Sequence, residues 1–309
     1  VNLNTIVNII IAAVFIIIIT VGLNSAIKKE VLEKALTNDS IPIDQSVKQH
    51  EFSKLEEEKI YRNYTIRIYR NDEAGDSTLQ ISHNGQIVFR KASHSFSIGH
   101  GIGAQKYDQL IPVGSNISGD GFHNLVVTEW TGGAHCCYVT HVFDLGNTLR
   151  EMVAIDNKDS DTSHFERRSG ERGLLFITYD FAFAYWKASF ADSPAPKVIL
   201  RYCNGEYRLA DDLMRRPAPN SMQLKRLYSS VRKELSWSGN IPSSTLWSAM
   251  LDLIYSGNTG AAWKLFDLIW SEKSTGKAEF RDEFQKQLET SDYWEQIKLL
   301  NDGKPVCRK

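Results

Sequence analysis

Cysteine is scarce in this chain. Its four residues, Cys136, Cys137, Cys203 and Cys307, include no C-x-x-C pair. That spacing excludes a zinc ribbon and a thioredoxin-like redox site. No Walker sequence and no Gly-rich dinucleotide fingerprint occurs, and the strand signals do not alternate with helices, which removes the nucleotide-binding α/β classes. A long basic run is also missing. With 36 basic against 37 acidic residues and a net charge of −1, nucleic acid is set aside as a partner, because phosphate binding needs a cationic surface.

Charge is absent altogether between Thr5 and Leu23, where Asn8 is the only strongly polar side chain. Nineteen such residues are just long enough to cross a hydrocarbon core as a helix. The sequence Leu23-Asn24-Ser25-Ala26 is a poor small-residue cleavage site, so residues 1–25 are expected to form an uncleaved transmembrane anchor in preference to a signal segment. The membrane is therefore an expected partner, through residues 5–23. Lys28, Lys29 and Lys34 follow the span and, taken alone, would hold the rest of the chain in the cytoplasm. Residues 26–60 read as a charged helical linker, with helices over Ala26–Leu36 and Glu51–Lys59.

Residues 61–215 carry the signals of antiparallel β structure. Tyr64 to Tyr69 alternates, and His83-Asn84-Gly85 between two β-prone runs is a hairpin turn. Further strands are expected at Leu125–Trp130, Cys136–Leu145, Leu149–Ile155, Leu174–Tyr179, Phe181–Phe190, Val198–Tyr202 and Tyr207–Leu209. Such a set predicts a propeller-like or sandwich domain. After Pro217-Ala218-Pro219 the period becomes helical, and residues 216–309 read as a small helical bundle with helices near Met222–Leu235, Pro242–Tyr255, Gly260–Trp270, Lys277–Leu288 and Tyr293–Leu300. The predicted fold class is mainly β plus α.

Asn116, Ser118, Asp120 and Asn124 place four oxygen-bearing side chains at loop positions 1, 3, 5 and 9, with Gly121 permitting the turn and Leu125-Val126-Val127 following as a strand. Alternate oxygens of a tight loop can converge on a hard cation such as Ca²⁺. This run resembles the single FG-GAP (integrin-α-like, VCBS-type) calcium loop. It is similar in particular to a group of uncharacterised bacterial exported proteins in which such a loop leads into an E-W-x-G-G-A-H-C-C turn, here Glu129 to Cys137. The resemblance implies an envelope-facing protein with its soluble part periplasmic or extracytoplasmic. This chain departs from the calcium pattern at Asn116 and Asn124, where aspartate is usual. The loop therefore has one formal negative charge instead of three, and calcium is expected to bind weakly or not at all.

The Glu129–Cys137 run also offers reactive groups. A thiol at Cys136 or Cys137 could be activated by His135 or His141, with Glu129 or Asp144 orienting the imidazole. In an extended strand, however, Cys136 and Cys137 face opposite ways, which favours packing over a shared site. Cys137 and Cys203, both in strand-like segments, are a candidate disulfide if the domain is exported. His94, His100, His135 and His141 could gather around Zn²⁺ or Cu²⁺, although their spacing matches no ligand signature. The sequence favours a membrane-anchored, envelope-facing binding or scaffolding protein with an unknown protein or envelope partner. The alternative is a thiol- or metal-dependent hydrolase centred on His135-Cys136-Cys137.

Overall fold

Hydrophobic alternation builds the first sheet. In a computed structural model, which describes residues 54–99, 110–133, 137–160, 162–270 and 275–307, strands β1 (Lys54–Tyr61), β2 (Tyr64–Asn71), β3 (Asp76–His83) and β4 (Gln86–Ser93) pair antiparallel in chain order. Tyr64, Ile66 and Ile68 alternate inward on β2, and Leu79 and Ile81 join them from β3. Asn84 and Gly85 both adopt positive φ, 51° and 81°, the backbone a two-residue hairpin needs to match the strand twist.

Two more four-stranded antiparallel sheets follow. The second is β5 (Ser95–Ile98), β6 (Asn124–Trp130), β7 (Tyr138–Leu145) and β8 (Leu149–Lys158), again in chain order. Its central strands are buried on both faces, which is why β6 begins as an unbroken apolar run, Leu125-Val126-Val127, after Asn124. The third contains β9 (His164–Glu166), β10 (Leu175–Tyr179), β11 (Lys197–Cys203) and β12 (Glu206–Leu209), neighbours again following the sequence. The described strands form no closed propeller.

The C-terminal third is helical: α1 (Asp211–Met214), α2 (Ser221–Glu234), α3 (Ser244–Ile254), α4 (Thr259–Ile269), α5 (Lys277–Leu288) and α6 (Trp294–Asn301), with a small ribbon of β13 (Trp237–Ser238) and β14 (Ile241–Pro242) before α3. Asn220 and Gln223 close a reciprocal capping box at the start of α2, at 2.9 and 2.8 Å. The helices and the third sheet share one core. Trp186, from the loop after β10, packs edge-on against Trp247 at 5.3 Å and lies 5.4 Å from Phe280, beside Phe284 and Trp263. Each large aromatic ring removed from water contributes roughly 1.5–3 kcal/mol. Polar contacts fix the docking angle: Tyr255 donates to Asp180 Oδ2 at 2.5 Å, and Leu209 N donates to Gln296 Oε1 at 2.6 Å. Trp247 and Trp270 are fully buried in this core, whereas Trp237 is exposed on β13.

Three sequence expectations need correction. The helix expected over Glu51–Lys59 is instead, from Lys54 onward, strand β1. Glu and Lys favour helix locally, but the ladder to β2 and the 2.6 Å pair between Arg67 and Glu58 override that preference at a charged sheet edge. Phe181–Phe190 forms no strand: it is a series of turns ending in a short 3₁₀ segment at Phe190–Asp192, with Phe183 buried and Tyr185 exposed at positive φ. The disulfide joins Cys203 to Cys307, not to Cys137, because Cys203 ends β11 whereas Cys137 lies just before β7 in another sheet. Residues 5–23 and the helix expected at Ala26–Leu36 lie outside the described residues. Among the described residues no helix is long and apolar enough to cross a membrane.

Candidate functional site

The loop before β6 is organised from within. Asn124, 1% exposed, accepts from Ile117 N at 3.0 Å, Ser118 N at 3.2 Å and Ser118 Oγ at 3.1 Å. Asn116 Oδ1 accepts from Gly119 N at 2.9 Å and Gly121 N at 3.3 Å, and Asp120 Oδ1 from Phe122 N at 3.1 Å and from Ser118 Oγ. These are Asx-type turns that hold a loop by side chain–backbone bonds. Asn116 and Asn124 have their acceptor oxygens filled by loop donors, and only Asp120 brings charge, so the donor set does not fit Ca²⁺. The loop is also clamped from outside. Leu174 N donates to Ile117 O at 2.7 Å, and a Cβ on Gly173 would lie 2.4 Å from that same oxygen. Gly119 turns at φ 76° against the same segment.

Asn124→Ala leaves Ser118 N without its acceptor in a buried setting, while Ile117 N keeps Ser115 O at 3.1 Å and the Ser118 hydroxyl keeps Asp120 Oδ1. Because one orphaned buried group costs about 1–3 kcal/mol, the variant is expected to lose about 2 kcal/mol, read as a lower urea midpoint at unchanged slope.

A second constellation lies on the middle sheet. His141 on β7, 3% exposed, is held between two carboxylates: its Nε2 is 2.7 Å from Glu129 Oε2, and its Nδ1 is 2.6 Å from Glu151 Oε1. Lys91 on β4 reaches the same Glu129 oxygen at 2.6 Å. The result is a chain of alternating charge, Lys91–Glu129–His141–Glu151. Burial alone would raise the Glu129 carboxyl, but hydrogen bonds from His141, Lys91 and Ser93 outweigh it and bring the pKa to about 2. Burial would likewise lower the His141 pKa, and the bonds to Glu129 and Glu151 raise it instead. An imidazole facing a carboxylate at each nitrogen is an imidazolium donating both protons. In that state it has no lone pair for a general base or a metal.

The residues singled out in the sequence thus fall in different places. Glu129 does orient an imidazole, that of His141. His100, His135 and Cys136 lie outside the described residues. Cys137 is half-buried just before β7, and His94 packs edge-on against Trp130 at 4.3 Å. Among the described residues no three His, Cys, Asp or Glu side chains are grouped to hold a metal. Lys91 and Glu151 were not legible as members of the cluster, because only the register Phe143↔Glu151 and the packing of β4 bring them to His141.

The far side of the 116–124 loop forms a cleft that sequence reading missed. Four connections converge there: Arg62-Asn63 between β1 and β2, His83-Asn84 between β3 and β4, Gly121-Phe122-His123 before β6, and Gly146-Asn147 between β7 and β8. They enclose about 770 Å³, open to solvent. Phe122 is 49% exposed at its rim. His83 stacks flat on Tyr64 at 4.3 Å, and Tyr64 donates to Gly146 O at 3.0 Å. Arg62 lies 2.8 Å from His123 Nε2; a guanidinium only donates, so Nε2 accepts and the ring proton sits on Nδ1, beside Gly114 O at 3.1 Å. Arg62 and Asn84 both hold positive φ, 52° and 51°, so the cleft is bounded by constrained backbone. No family model matches the sequence, and no curated protein or solved structure matches it either.

Proposed function

We propose that this chain is a membrane-anchored, envelope-facing binding or scaffolding protein. The observation that carries the reading is the Cys203–Cys307 disulfide. It joins residues 104 apart with Cα atoms 5.9 Å apart, and both cysteines are buried. Such cross-links persist in oxidising compartments and are uncommon in reducing ones. The apolar Thr5–Leu23 run supplies a membrane anchor, and the likeness of Glu129–Cys137 to exported proteins agrees with the same side of the membrane. Three consecutive four-stranded meanders have the strand order of propeller blades, a scaffold that carries binding loops at sheet ends. Binding is favoured over hydrolysis because His141, the imidazole held between Glu129 and Glu151, has both nitrogens engaged.

The test is a reporter fusion to the C-terminus of the full chain in a bacterial host. Alkaline phosphatase, which needs an oxidising compartment, is expected to be active there and a cytoplasmic β-galactosidase reporter inactive. The reverse pattern would place the domain on the cytoplasmic side and end the proposal.

A further inference from the structure

We infer that the cleft between Arg62, His83, Phe122 and Asn147 is a saccharide-binding site for a neutral pyranose chain; this rests on the binding-protein reading above and specifies its ligand. Its size, about 770 Å³ and open to solvent, suits a sugar or a short stretch of glycan better than a fully enclosed small molecule. Phe122 offers an apolar ring face at the rim, the surface against which the C–H face of a pyranose packs. Around it stand groups that both donate and accept: the side-chain amides of Asn63, Asn84 and Asn147 and the imidazole of His83. A polyol needs that mixture, since every hydroxyl donates one bond and accepts others.

Among the side chains lining the cleft, a single cation, Arg62, stands with one carboxylate, Asp144, itself paired with Arg150 outside the lining, so no cluster of cations is offered to an anion. Arg62 is the cation, with one guanidinium nitrogen committed to His123. Asp144 lies buried in the cleft wall and brings the opposite charge, with its Oδ2 3.4 Å from Arg150. A phosphate or polyanion would meet one partly engaged arginine and a nearby carboxylate. An uncharged ring meets no penalty from either. The site is also built before the ligand arrives. Tyr61 lies 2.9 Å from His123 Nδ1, Tyr64 is under His83, and the Asx turns fix Gly121 to His123, so little ordering entropy remains to oppose binding.

The experiment is titration calorimetry of the full chain in detergent micelles against cellohexaose, chitohexaose and laminarihexaose, with inositol hexakisphosphate as the anionic probe. At least one hexasaccharide is expected to bind. Phe122→Ala and Asn147→Ala are each expected to weaken it about tenfold or more, while Leu268→Ala on the exposed face of α4 leaves it unchanged. Both cleft side chains are exposed, so the melting temperature of these variants should stay at the parent value. No heat with any of the three sugars overturns the assignment, as does binding that survives both cleft substitutions or tighter binding of the phosphate. Because the purified, oxidised protein is used, failure here leaves the compartment result standing, and failure of the reporter test leaves this one interpretable.

Discussion

Glu129→Gln is expected to lower stability by roughly 3–5 kcal/mol near pH 6, the usual cost of removing one partner from a buried charge pair. The substitution keeps the shape of the side chain but removes the negative charge between Lys91 and His141, leaving an imidazolium that is 3% exposed with only Glu151 as counter-ion. The pH dependence follows from the two shifts. The folded pKa of His141 is raised, so its contribution is whole below the unfolded value of 6.5 and is lost as pH rises through the higher folded value. The folded pKa of Glu129 is lowered from 4.5 to about 2, so its contribution is whole above 4.5 and is lost as pH falls towards 2. Both act fully between 4.5 and 6.5. A plot of unfolding free energy against pH should therefore be highest in that window and flatter in the variant on both sides. A loss below 1 kcal/mol with an unchanged profile would show that the charge chain is not formed.

Replacing Cys203 and Cys307 with serine should cost a comparable amount. The cross-link closes a loop spanning 104 residues, and constraint of so long a loop in the unfolded chain accounts for about 4–5 kcal/mol on the chain-entropy argument, with measured values usually 2–4 kcal/mol. Two hydrogen bonds survive the substitution: Asp211 Oδ1 still accepts from Val306 N and Cys307 N, each at 3.2 Å. Alone they hold the tail weakly. The double variant is expected to unfold roughly 8–15 °C earlier and to lose residues beyond α6 to limited proteolysis while the sheets persist, since about 1 kcal/mol corresponds to 2–4 °C at this size. An unchanged melting temperature would contradict the latch.

The sequence was most legible where side chains repeat. The 3.6-residue period between Met222 and Leu300 gave five helices within a residue or two of those observed, and the Asn84-Gly85 hairpin was readable from its turn chemistry alone. Lys54–Tyr61 was misread because Leu-Glu-Glu-Glu-Lys favours helix, while its strand state depends on the distant ladder to β2. Phe181 to Phe190 alternates in size like a strand, yet Tyr185 and Lys187 take positive φ and break the extension. The 116–124 loop showed its four oxygen-bearing side chains by their spacing, but not the loop amides they bond. The cleft beside it was invisible, because Arg62, His83, Phe122 and Asn147 are brought together by two sheets and share no local pattern.

The oxidation state of Cys203 and Cys307 in intact cells tests the central claim most directly. Cells are quenched in acid, the protein is denatured in the presence of a first alkylating reagent and only then reduced, and newly exposed thiols are labelled with a second reagent of different mass. An envelope-facing domain predicts that peptides containing Cys203 and Cys307 carry only the second label. First label on both cysteines in a protein that is folded and membrane-bound would contradict it.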